Sequence, residues 1–293
     1  MNPKTVVWRY CDGKAGHERQ TAGLLEALGA LRPLDIHVLR DGKRPSTRRP
    51  DLAVGAGSAC AWRMLLSPGL GRALRVYLMN PPLPRRLFDL CLVPRHDEVT
   101  VQPGVILTDG VLNDLRPATG PRTGPLLILV GGPSKHHRWD EAGLLAQVAA
   151  VLAGTPNTPV VISDSRRTPA STSAALQGFA GDRVNVVRHA DVPPDWLPLT
   201  LASATGAWVS ADSVSMLFEA LTAGCAVGVL EVPGLREDRI NRIAAALAAR
   251  GMVTLFSAWQ ASGQLAPPRE PLAEAARCAA LIDAALRARE ARC

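Results

Sequence analysis

The sequence predicts an α/β protein built from two Rossmann-like domains, each with a parallel sheet covered by helices. Three observations carry this prediction. Short apolar runs of strand length alternate with longer segments whose apolar residues recur at helical spacing. Most of these runs end in a polar or glycine-rich turn that leads into a helix, as in successive βαβ units. The segment 116–125, rich in Pro, Gly and Thr, separates two such series and is predicted to be the interdomain linker.

Length and composition are those of an ordinary globular protein. The 293 residues suffice for two domains, and 47% hydrophobic with 20% charged residues is typical of soluble proteins. No apolar run approaches the roughly 20 residues that span a bilayer. The N-terminus reads as a strand and lacks the cleavage site of a signal peptide, so we expect a cytoplasmic protein. The six cysteines include no C-x-x-C pair, which argues against a zinc site or a disulfide framework.

Positive charge is concentrated in the first half of the chain. Residues 1–120 hold 17 Lys and Arg against 11 Asp and Glu, a balance of +6, whereas residues 121–293 hold 16 against 15, a balance of +1. This excess favours an anionic substrate, or peripheral contact with an anionic surface such as a bacterial inner membrane. Nucleic acid is not expected as a partner, because the basic residues are dispersed and only 4% of residues are aromatic. A solvated, arginine-rich surface is the simpler alternative.

The first predicted domain covers residues 1–118. Its first strand leads through a turn with two glycines into a helix with an apolar stripe. Gly13 and Gly16 are predicted to allow close backbone approach at this crossing. A basic, Pro-containing loop at 40–50 precedes the third strand, and a second helix runs through 62–66. The six predicted strands are residues 4–9, 34–39, 51–54, 73–79, 88–93 and 105–108.

Two turns of this domain carry candidate catalytic residues. His17 opens the first helix, where a helix N-terminus favours the neutral imidazole that a general base requires. His96 follows the fifth strand and is the second candidate. For both histidines a capping or packing role is the alternative, and His96 and its neighbour Asp97 do not face each other on a regular element. The residues predicted on the acceptor side of the site are Gly13, Lys14, Gly16 and Asp97.

The second predicted domain, residues 124–270, repeats the alternation of strands and helices. Its strands are predicted at 126–130, 159–162, 184–188, 207–210 and 226–230, and its helices at 141–152, 171–179, 196–202, 216–222 and 239–250. Residues 271–293 are predicted to form a final amphipathic helix that packs back on the first domain. This arrangement of two Rossmann-like domains is typical of the GT-B fold, in which the parallel sheets face a central cleft.

Three turns of the second domain are predicted to bind the diphosphate of a nucleotide, because each follows a strand at the ligand-binding edge of the sheet. Gly131 and Gly132 would expose backbone N–H groups, with Ser134 beside them. Two adjacent guanidiniums in the turn Ser165-Arg166-Arg167 match the geometry of phosphate oxygens. A solvated or ion-paired arginine pair is the alternative.

The third turn precedes the helix predicted at 216–222. Its polar residues suit an anion at a helix N-terminus, and Glu219 is placed to accept hydrogen bonds from the hydroxyls of a ribose. A helix capped by Asp212 or Ser213, with Glu219 on the surface, explains the same pattern without a ligand. The candidate nucleotide-binding residues of this turn are Asp212, Ser213, Val214, Ser215, Met216 and Glu219.

No metal site is predicted. The chain has no Asp-x-Asp, G-x-S-x-G or H-E-x-x-H motif. His136 and His137 have no histidine four residues away and no nearby cysteine, so we expect them to be exposed polar residues. No cofactor is expected, and a nucleotide-diphosphate sugar would be the substrate.

Together these motifs resemble the mitochondrial fission "elongated mitochondria" family, whose bacterial members are labelled nucleoside-diphosphate-sugar epimerases. The resemblance runs from about residue 8 to about residue 256. It rests on Gly13-Lys14-Ala15-Gly16-His17-Glu18-Arg19-Gln20, His96-Asp97, Gly131-Gly132-x-Ser134, Ser165-Arg166-Arg167-Thr168 and Ala211-Asp212-Ser213-Val214-Ser215-Met216-x-x-Glu219-Ala220. It implies a GT-B-like fold. The Ser-Met-x-x-Glu helix is also similar to the donor site of lipid-linked N-acetylglucosaminyltransferases, whose matching Glu binds the ribose.

Three functions follow from these expectations. The first is a metal-independent glycosyltransferase that uses a nucleotide-diphosphate sugar and an anionic or lipid-linked acceptor, as in bacterial envelope glycan synthesis. The second is an epimerase or hydrolase acting on the sugar nucleotide itself. The third is a non-enzymatic adaptor, because the plant relative resembles one that recruits a dynamin-type protein to mitochondria. Where the family has Asn-Pro-Tyr after the strand at 184–188, this chain has His189-Ala190-Asp191, which leaves the identity of the donor open.

Overall fold

Two compact units make up the chain in the computed structural model, which describes residues 4–40, 49–117, 120–236, 238–268 and 272–292. The first unit combines Met1–Asp114 with Ala273–Cys293, and the second is Leu115–Leu272. The sequence places the domain boundaries at 118 and 124 and the start of the last helix at 271. Residues 118, 270 and 271 lie outside the described part of the chain, as does most of the basic loop predicted at 40–50.

Twelve strands and nine helices are formed by the described residues. The strands are β1 (Thr5–Tyr10), β2 (Leu34–Leu39), β3 (Leu52–Ala56), β4 (Leu74–Leu78), β5 (Leu90–Pro94), β6 (Val105–Thr108), β7 (Gly124–Leu129), β8 (Val160–Ser163), β9 (Val184–Val187), β10 (Ala204–Ser210), β11 (Ala226–Leu230) and β12 (Thr254–Leu255). The helices are α1 (Ala15–Gly29), α2 (Ser58–Leu66), α3 (Glu141–Gly154), α4 (Ala170–Gln177), α5 (Trp196–Ser203), α6 (Val214–Thr222), α7 (Arg242–Ala249), α8 (Phe256–Ser262) and α9 (Glu274–Glu290).

Each unit is built around one six-stranded sheet in which all neighbouring strands are parallel. The order is β2-β1-β3-β4-β5-β6 in the first unit and β12-β11-β10-β7-β8-β9 in the second. The predicted α/β class with two parallel sheets is therefore confirmed. Parallel strands require helical crossovers, and these crossovers place apolar helices against the sheets.

The first sheet is covered on both faces, which explains its nearly continuous apolar strands. Because successive residues of a strand point to opposite faces, Val7 packs in a core with Leu24 of α1 and Ile282 of α9. The next residue, Trp8, packs in a second core with Met64 of α2. All five residues of β3 are buried, as expected for a central strand between two helical layers. The last helix of the chain thus completes the core of the first unit.

Both sheets contain a point at which the strand order reverses. In the first unit the chain passes from β1 to β2 on one side and later to β3 on the other side of β1. In the second unit β7 is followed by β8 on one side, and β10 returns to its other side. The loops at the carboxyl ends of such strand pairs diverge and leave a crevice, which is the usual ligand site of open α/β sheets.

The segment after β11 contains two elements that the sequence did not indicate, β12 and α8. The two-residue β12 is too short to show a period, and α8 has only seven residues. β12 pairs with β11, and α8 is held by an aromatic cluster in which Trp208 of β10 lies edge-on to Phe256 and Trp259, with ring centroids 6.1 Å and 5.3 Å away. Tertiary packing, rather than local pattern, forms this corner.

The predicted linker at 116–125 overlaps the second unit. Gly124 and Pro125 already belong to β7. Arg122 donates to the carbonyl oxygens of Leu201 and Ala204 at 3.1 Å and 3.0 Å and also to that of Ala223. A guanidinium here satisfies carbonyl groups at the ends of α5 and α6, which a helix leaves without partners. Residues 118 and 119 lie outside the described residues.

The five described cysteines are unpaired and buried: Cys11, Cys60, Cys91, Cys225 and Cys278. Burial raises the pKa of the Cys60 and Cys91 thiols to about 11, because a thiolate is poorly solvated there. These thiols are therefore protonated at neutral pH and act as small apolar core residues. Within the described ranges, no helix is both long enough and apolar enough to cross a membrane.

Candidate functional site

Three loops of the second unit meet at one edge of the sheet. They are the serine turn (residues 210–213), the glycine turn (131–134) and the arginine turn (165–168), which follow β10, β7 and β8. These strands are neighbours in the sheet, with Val209 paired to Leu129 and Leu129 to Ser163. The register places the three turns side by side at the crevice between β7 and β10. The structure thus brings together the predicted nucleotide-binding residues of this unit.

Asp212 is buried at this edge and connects the other two turns by hydrogen bonds. Its side chain has no exposed surface, and Oδ2 accepts hydrogen bonds from Gly132 N and from Arg167 Nη2, each at 2.8 Å. Gly131 N donates to Ser210 Oγ at 2.7 Å. The prediction that Gly131 and Gly132 expose free N–H groups is therefore wrong, because the serine turn already accepts both donors. Asp212 supports the site and presents no carboxylate surface to a ligand.

The two glycines are required by close packing. A Cβ atom at Gly131 would lie 2.1 Å from Asp212 Oδ2, and one at Gly132 would lie 2.0 Å from the carbonyl oxygen of Arg167. Contacts this short do not occur with real side chains, so the loops must move if either residue gains a methyl group. The glycines allow the three turns to touch.

The two predicted diphosphate-binding arginines have different environments. Arg167 donates through Nη1 to the carbonyl oxygen of Gly132 at 2.8 Å and through Nη2 to Asp212. Arg166 is exposed and makes no ion pair or hydrogen bond through its side chain with the described residues. The expectation of two free guanidiniums is thus corrected. Arg167 neutralises Asp212 within the wall, and Arg166 supplies the available positive charge.

Hydroxyl groups hold the loops in shape. Ser134 Oγ accepts hydrogen bonds from the backbone N–H groups of His136 and His137 at 3.2 Å and 3.1 Å. Ser165 Oγ lies 3.1 Å from Thr168 Oγ1, and Thr168 in turn donates to the carbonyl oxygen of Gly131. Small polar residues commonly stabilise turns by such local bonds. Ser134 and Ser165 therefore serve as supports of the site.

His137 corrects the prediction of two exposed histidines. It is buried, and its Nδ1 lies 3.2 Å from Ser134 Oγ. Burial lowers the pKa of His137, partly offset by the nearby Asp212 charge, so the imidazole is neutral around pH 7. His136 is only half-buried, and its Nδ1 lies 2.7 Å from Asp238 Oδ2. The hydrogen bond to His136 lowers the pKa of Asp238 far below its usual value. The backbone N–H of Asn241 adds to this effect, and partial desolvation opposes it.

The N-terminus of α6 borders the same crevice. Ser213 is the N-cap residue but makes no capping hydrogen bond through its side chain, and Asp212 is turned toward the glycine turn. Side-chain capping, the alternative explanation of this sequence, is therefore not observed. The first-turn N–H groups of Val214, Ser215 and Met216 have no acceptor within the helix itself. Their positive potential suits an anion.

Glu219 lies in the second turn of α6 and is buried, with 8% of its surface exposed. It is not the exposed surface residue of the alternative interpretation. Glu219 also has an interaction partner within the protein.

Asp164 and His189 were missed by the sequence analysis. Asp164 follows β8, is buried, and accepts hydrogen bonds from His189 N at 2.6 Å and Ser173 Oγ at 2.7 Å. Its burial opposes ionisation, but the bonds from His189 and Ser173 outweigh burial and lower the pKa of the carboxyl group. Asp164 Oδ1 also lies 3.1 Å from Nδ1 of His189. The available signal was an Asp directly after a strand at the ligand-binding edge.

The first unit carries an Asp–His pair at its own crevice, between β1 and β3. His17 Nδ1 lies 2.8 Å from Asp12 Oδ2, and Lys14 N donates to the other oxygen at 3.2 Å. Burial opposes the charge on Asp12, but the bonds from His17 and Lys14 outweigh it and lower the pKa of the carboxyl group. A carboxylate on one ring nitrogen orients the imidazole and leaves the other nitrogen free to act as a base. Asp12 is a third residue that the sequence analysis missed.

The glycines that permit this pair differ in part from those predicted. A Cβ atom at Gly13 or Gly16 would have no neighbour within 4 Å, so close backbone approach is not their role. Gly13 adopts φ +80°, a left-handed conformation that favours glycine. Gly57, at the start of α2, has φ +87°, and its Cβ would lie 2.4 Å from His17 Nδ1. Lys14 occupies the N-cap of α1, so His17 lies inside the first turn.

His96 and Asp97 are not brought to His17. They form a half-buried turn of 3-10 helix after β5, and both have partners within the protein. Strands β3 and β4 lie between β1 and β5, which separates the carboxyl ends of β1 and β5 by about 14 Å. In the described part of the chain, no group of three His, Cys, Asp or Glu side chains is placed to hold a metal ion.

Comparison with known proteins identifies both a family and a fold. The family model described as "Mitochondrial fission ELM1" matches residues 15–286. No curated protein sequence matches the chain significantly. A Listeria monocytogenes protein assigned as a UDP-N-acetylglucosamine 2-epimerase shares the fold with a TM-score of 0.64 and 12% identity, over 97% of each chain.

Two further structures are similar over nearly their whole length. The UDP-GlcNAc 2-epimerase of Methanocaldococcus jannaschii has a TM-score of 0.59 and 9% identity, over 96% of this chain and 100% of the other. The Neisseria meningitidis UDP-GlcNAc 2-epimerase bound to UDP-GlcNAc has a TM-score of 0.51 and 12% identity, over 97% of this chain and 99% of the other. These likenesses confirm the predicted GT-B-like fold.

Proposed function

The chain belongs to the mitochondrial fission ELM1 family, and from that premise we propose that its second unit binds a nucleotide-diphosphate sugar at the ends of β7, β8 and β10. One observation carries the proposal. The N-terminus of α6, which has no side-chain cap, follows β10 at the reversal of strand order, and Arg166, whose side chain is exposed and has no partner among the described residues, lies in the turn after β8, on the other side of β7. Both favour negative charge, and the charge of Asp212, which lies between these turns, is neutralised by Arg167.

The parts of the ligand are assigned by chemistry. The diphosphate lies against the N–H groups of Val214 and Ser215 and the guanidinium of Arg166, since these are positive and unoccupied by side chains. The ribose hydroxyls are assigned to Glu219, whose carboxylate oxygens can accept hydrogen bonds in addition to the interaction that Glu219 makes within the protein. The structural relatives named above include one bound to UDP-GlcNAc, so we use UDP and UDP-GlcNAc as the first ligands to test.

The proposed reaction is transfer of the sugar to an acceptor hydroxyl. Charge that develops on the leaving diphosphate is stabilised by Arg166 and the N-terminus of α6, without a required metal ion. His17, oriented by Asp12, removes the proton of the acceptor hydroxyl. The surplus of basic residues in the first 120 positions favours an anionic or lipid-linked acceptor, which would bring the protein to the inner membrane as a peripheral protein.

Calorimetric titration with UDP and UDP-GlcNAc tests the donor site. We expect saturable binding that weakens about tenfold to a hundredfold in Arg166→Ala, because a charge-assisted hydrogen bond contributes about 1.5–3 kcal/mol. Glu219→Gln should weaken the binding of UDP more than the binding of inorganic pyrophosphate, since only UDP has a ribose. Arg72→Ala removes an exposed arginine of the first unit and serves as the matched control. Failure of the wild-type protein to bind any nucleotide would refute the proposal.

Epimerisation or hydrolysis of the sugar nucleotide is the second candidate. The Asp12–His17 pair favours it as much as it favours transfer, because an oriented imidazole also removes a proton from carbon or from water. Incubation with the sugar nucleotide alone, followed by NMR of the products, separates the candidates. A new sugar configuration or free sugar without an acceptor assigns the second function. A stable protein partner, together with no nucleotide binding, would instead support the adaptor function.

A further inference from the structure

A cavity of about 430 Å³ opens beside the carboxyl end of β4 in the first unit. Its polar lining comes from Asn80, Arg85, Arg86 and Gln102, and the rest from Pro and Leu side chains of the loop between β4 and β5. The volume lies in the range of pockets that bind small molecules, roughly 300–1,000 Å³. Neither the motifs of the sequence nor the proposed donor site uses these residues.

The cavity carries positive charge that the protein does not neutralise. Arg85 donates through Nε to Asn80 Oδ1 at 3.1 Å, and its terminal nitrogens make no hydrogen bond with the described residues. The side chain of Arg86 is exposed and likewise has no partner among them. Among the described residues, no acidic side chain lines the cavity. The acidic residue of the same loop, Asp89, is already engaged by Arg289 at 2.5 Å and by Arg75 N at 2.7 Å.

The loop that lines this cavity begins in contact with the helix that carries His17. Met79, which joins β4 to the loop, has φ +74°, an uncommon conformation for a residue with a side chain. It is held there by the bond from its N–H to the carbonyl oxygen of Leu92 at 2.8 Å. The Sδ atom of Met79 lies 3.8 Å from Nε2 of Gln20, one turn after His17 on α1. The loop therefore begins in contact with the helix that carries His17, at the same edge of the sheet.

We propose that this cavity binds a phosphate or diphosphate group of the acceptor substrate, through Arg85 and Arg86. The planar guanidinium presents paired donors that match phosphate oxygens, and two unpaired guanidiniums in one cavity favour a doubly charged group. Asn80 and Gln102 supply additional polar groups at the rim. The term "acceptor" rests on the function proposed above, whereas the anion site itself does not.

Calorimetric titration with inorganic pyrophosphate, performed in the presence of saturating UDP, tests the cavity on the full chain. We expect pyrophosphate binding to weaken tenfold or more in Arg85→Gln/Arg86→Gln, since each lost charge-assisted bond is equivalent to about tenfold or more in affinity. The matched control Arg49→Gln/Arg72→Gln removes two other exposed arginines of the same unit and should retain wild-type affinity. Equal weakening in both variants, or in neither, overturns the proposal. Arg86→Gln alone, at an exposed position, repeats the test should the double variant unfold.

Two further measurements separate the sources of the phosphate and the two proposals. Co-sedimentation with phosphatidylcholine vesicles that contain phosphatidic acid, lost in Arg85→Gln/Arg86→Gln, assigns the group to a lipid. Pyrophosphate binding without co-sedimentation assigns it to a soluble acceptor, and both results support the site. UDP affinity of the same variant should equal that of the wild type. Absence of UDP binding with an intact pyrophosphate site would refute the donor site while leaving the cavity standing.

Discussion

Asp212 and Arg167 form an ion pair of 2.8 Å in which the carboxylate has no exposed surface and the guanidinium is 42% exposed. They lie 45 residues apart in the chain, on the turns that follow β10 and β8. Gly132, on the turn between them, donates its N–H to the same carboxylate oxygen. One oxygen atom thus joins three loops of the proposed donor site, so the shape of the site depends on a residue that does not contact the ligand.

Asp212→Asn tests this dependence. The variant retains an oxygen that can accept from Gly132 but loses the charge that pairs with Arg167. We expect a loss of about 1–3 kcal/mol in the free energy of unfolding, at the lower end of values for buried charges because Arg167 remains partly solvated. Urea unfolding measures it. Asp195→Asn, at an exposed carboxyl group without a capping bond, is the control and should lie within about 0.5 kcal/mol of the wild type. Equal stability of the two variants would contradict the assignment.

Gly131→Ala tests the close packing of the loops. The added Cβ would lie 2.1 Å from Asp212 Oδ2, so the turns must separate. We expect a destabilisation of about 1–3 kcal/mol and weaker UDP binding. Gly181→Ala, where a Cβ would meet no atom within 4 Å, should be neutral or slightly stabilising. Thermal unfolding and calorimetry of both variants decide the question, and a Gly131→Ala protein with wild-type UDP affinity would disprove the role of the contact.

The contact with Asp12 selects the tautomer of the neutral His17 ring. Because Asp12 Oδ2 lies 2.8 Å from Nδ1, we expect neutral His17 to carry its proton on Nδ1 and its lone pair on Nε2. Long-range ¹H–¹⁵N NMR correlations distinguish the two tautomers. In Asp12→Asn the preference should weaken, because the amide has no charge and can orient either its oxygen or its nitrogen toward the ring. A proton on Nε2 of the neutral ring in the wild-type protein would contradict the proposal that His17 acts as the base through this nitrogen.

His137 makes folding stability dependent on pH. Its folded-state pKa is lowered by burial, so below the unfolded value of 6.5 the unfolded chain binds a proton that the folded chain resists. The effect is absent well above pH 6.5, and the folded state is destabilised as the pH falls through that value. We expect the free energy of unfolding to fall between about pH 7.5 and about pH 5.5. The decrease should be smaller in His137→Gln, whereas the control variant His37→Gln should retain the wild-type slope. Equal slopes of the free energy of unfolding against pH in all three proteins would rule out His137 as the source of the pH dependence.

The sheets were predictable from the sequence because burial on both faces imposes apolar residues at nearly every strand position, as in β3. The positions of the turns could also be predicted, because each turn directly follows the carboxyl end of a short apolar strand. What could not be predicted is which hydrogen-bonding groups of one turn would pair with those of another. Gly132 and Asp212 are bonded across 80 residues, and no local pattern reports such a pair.

The same limit explains the errors at individual residues. His137 looked like a surface residue beside Lys135, but a bridge to Gly234 and the hydroxyl of Ser134 place it inside the loop. The α8 segment lacks a period of its own, and it is held by its contacts with Trp208 and by the bonds from Ser257 to Glu231. Long-range contacts thus decide the details of the site, while the sequence pattern decides its position.

The place of α9 has a consequence for biosynthesis. The core of the first unit needs Cys278, Ala279, Ile282 and Leu286 to cover Leu24, Leu25 and Leu28. A ribosome delivers these residues only after the second unit, which is one continuous segment. The unit that is translated first is therefore the one that matures last, and its nascent apolar surface is exposed while the later unit folds. A chain released shortly before residue 274 would keep that surface open to chaperones and proteases.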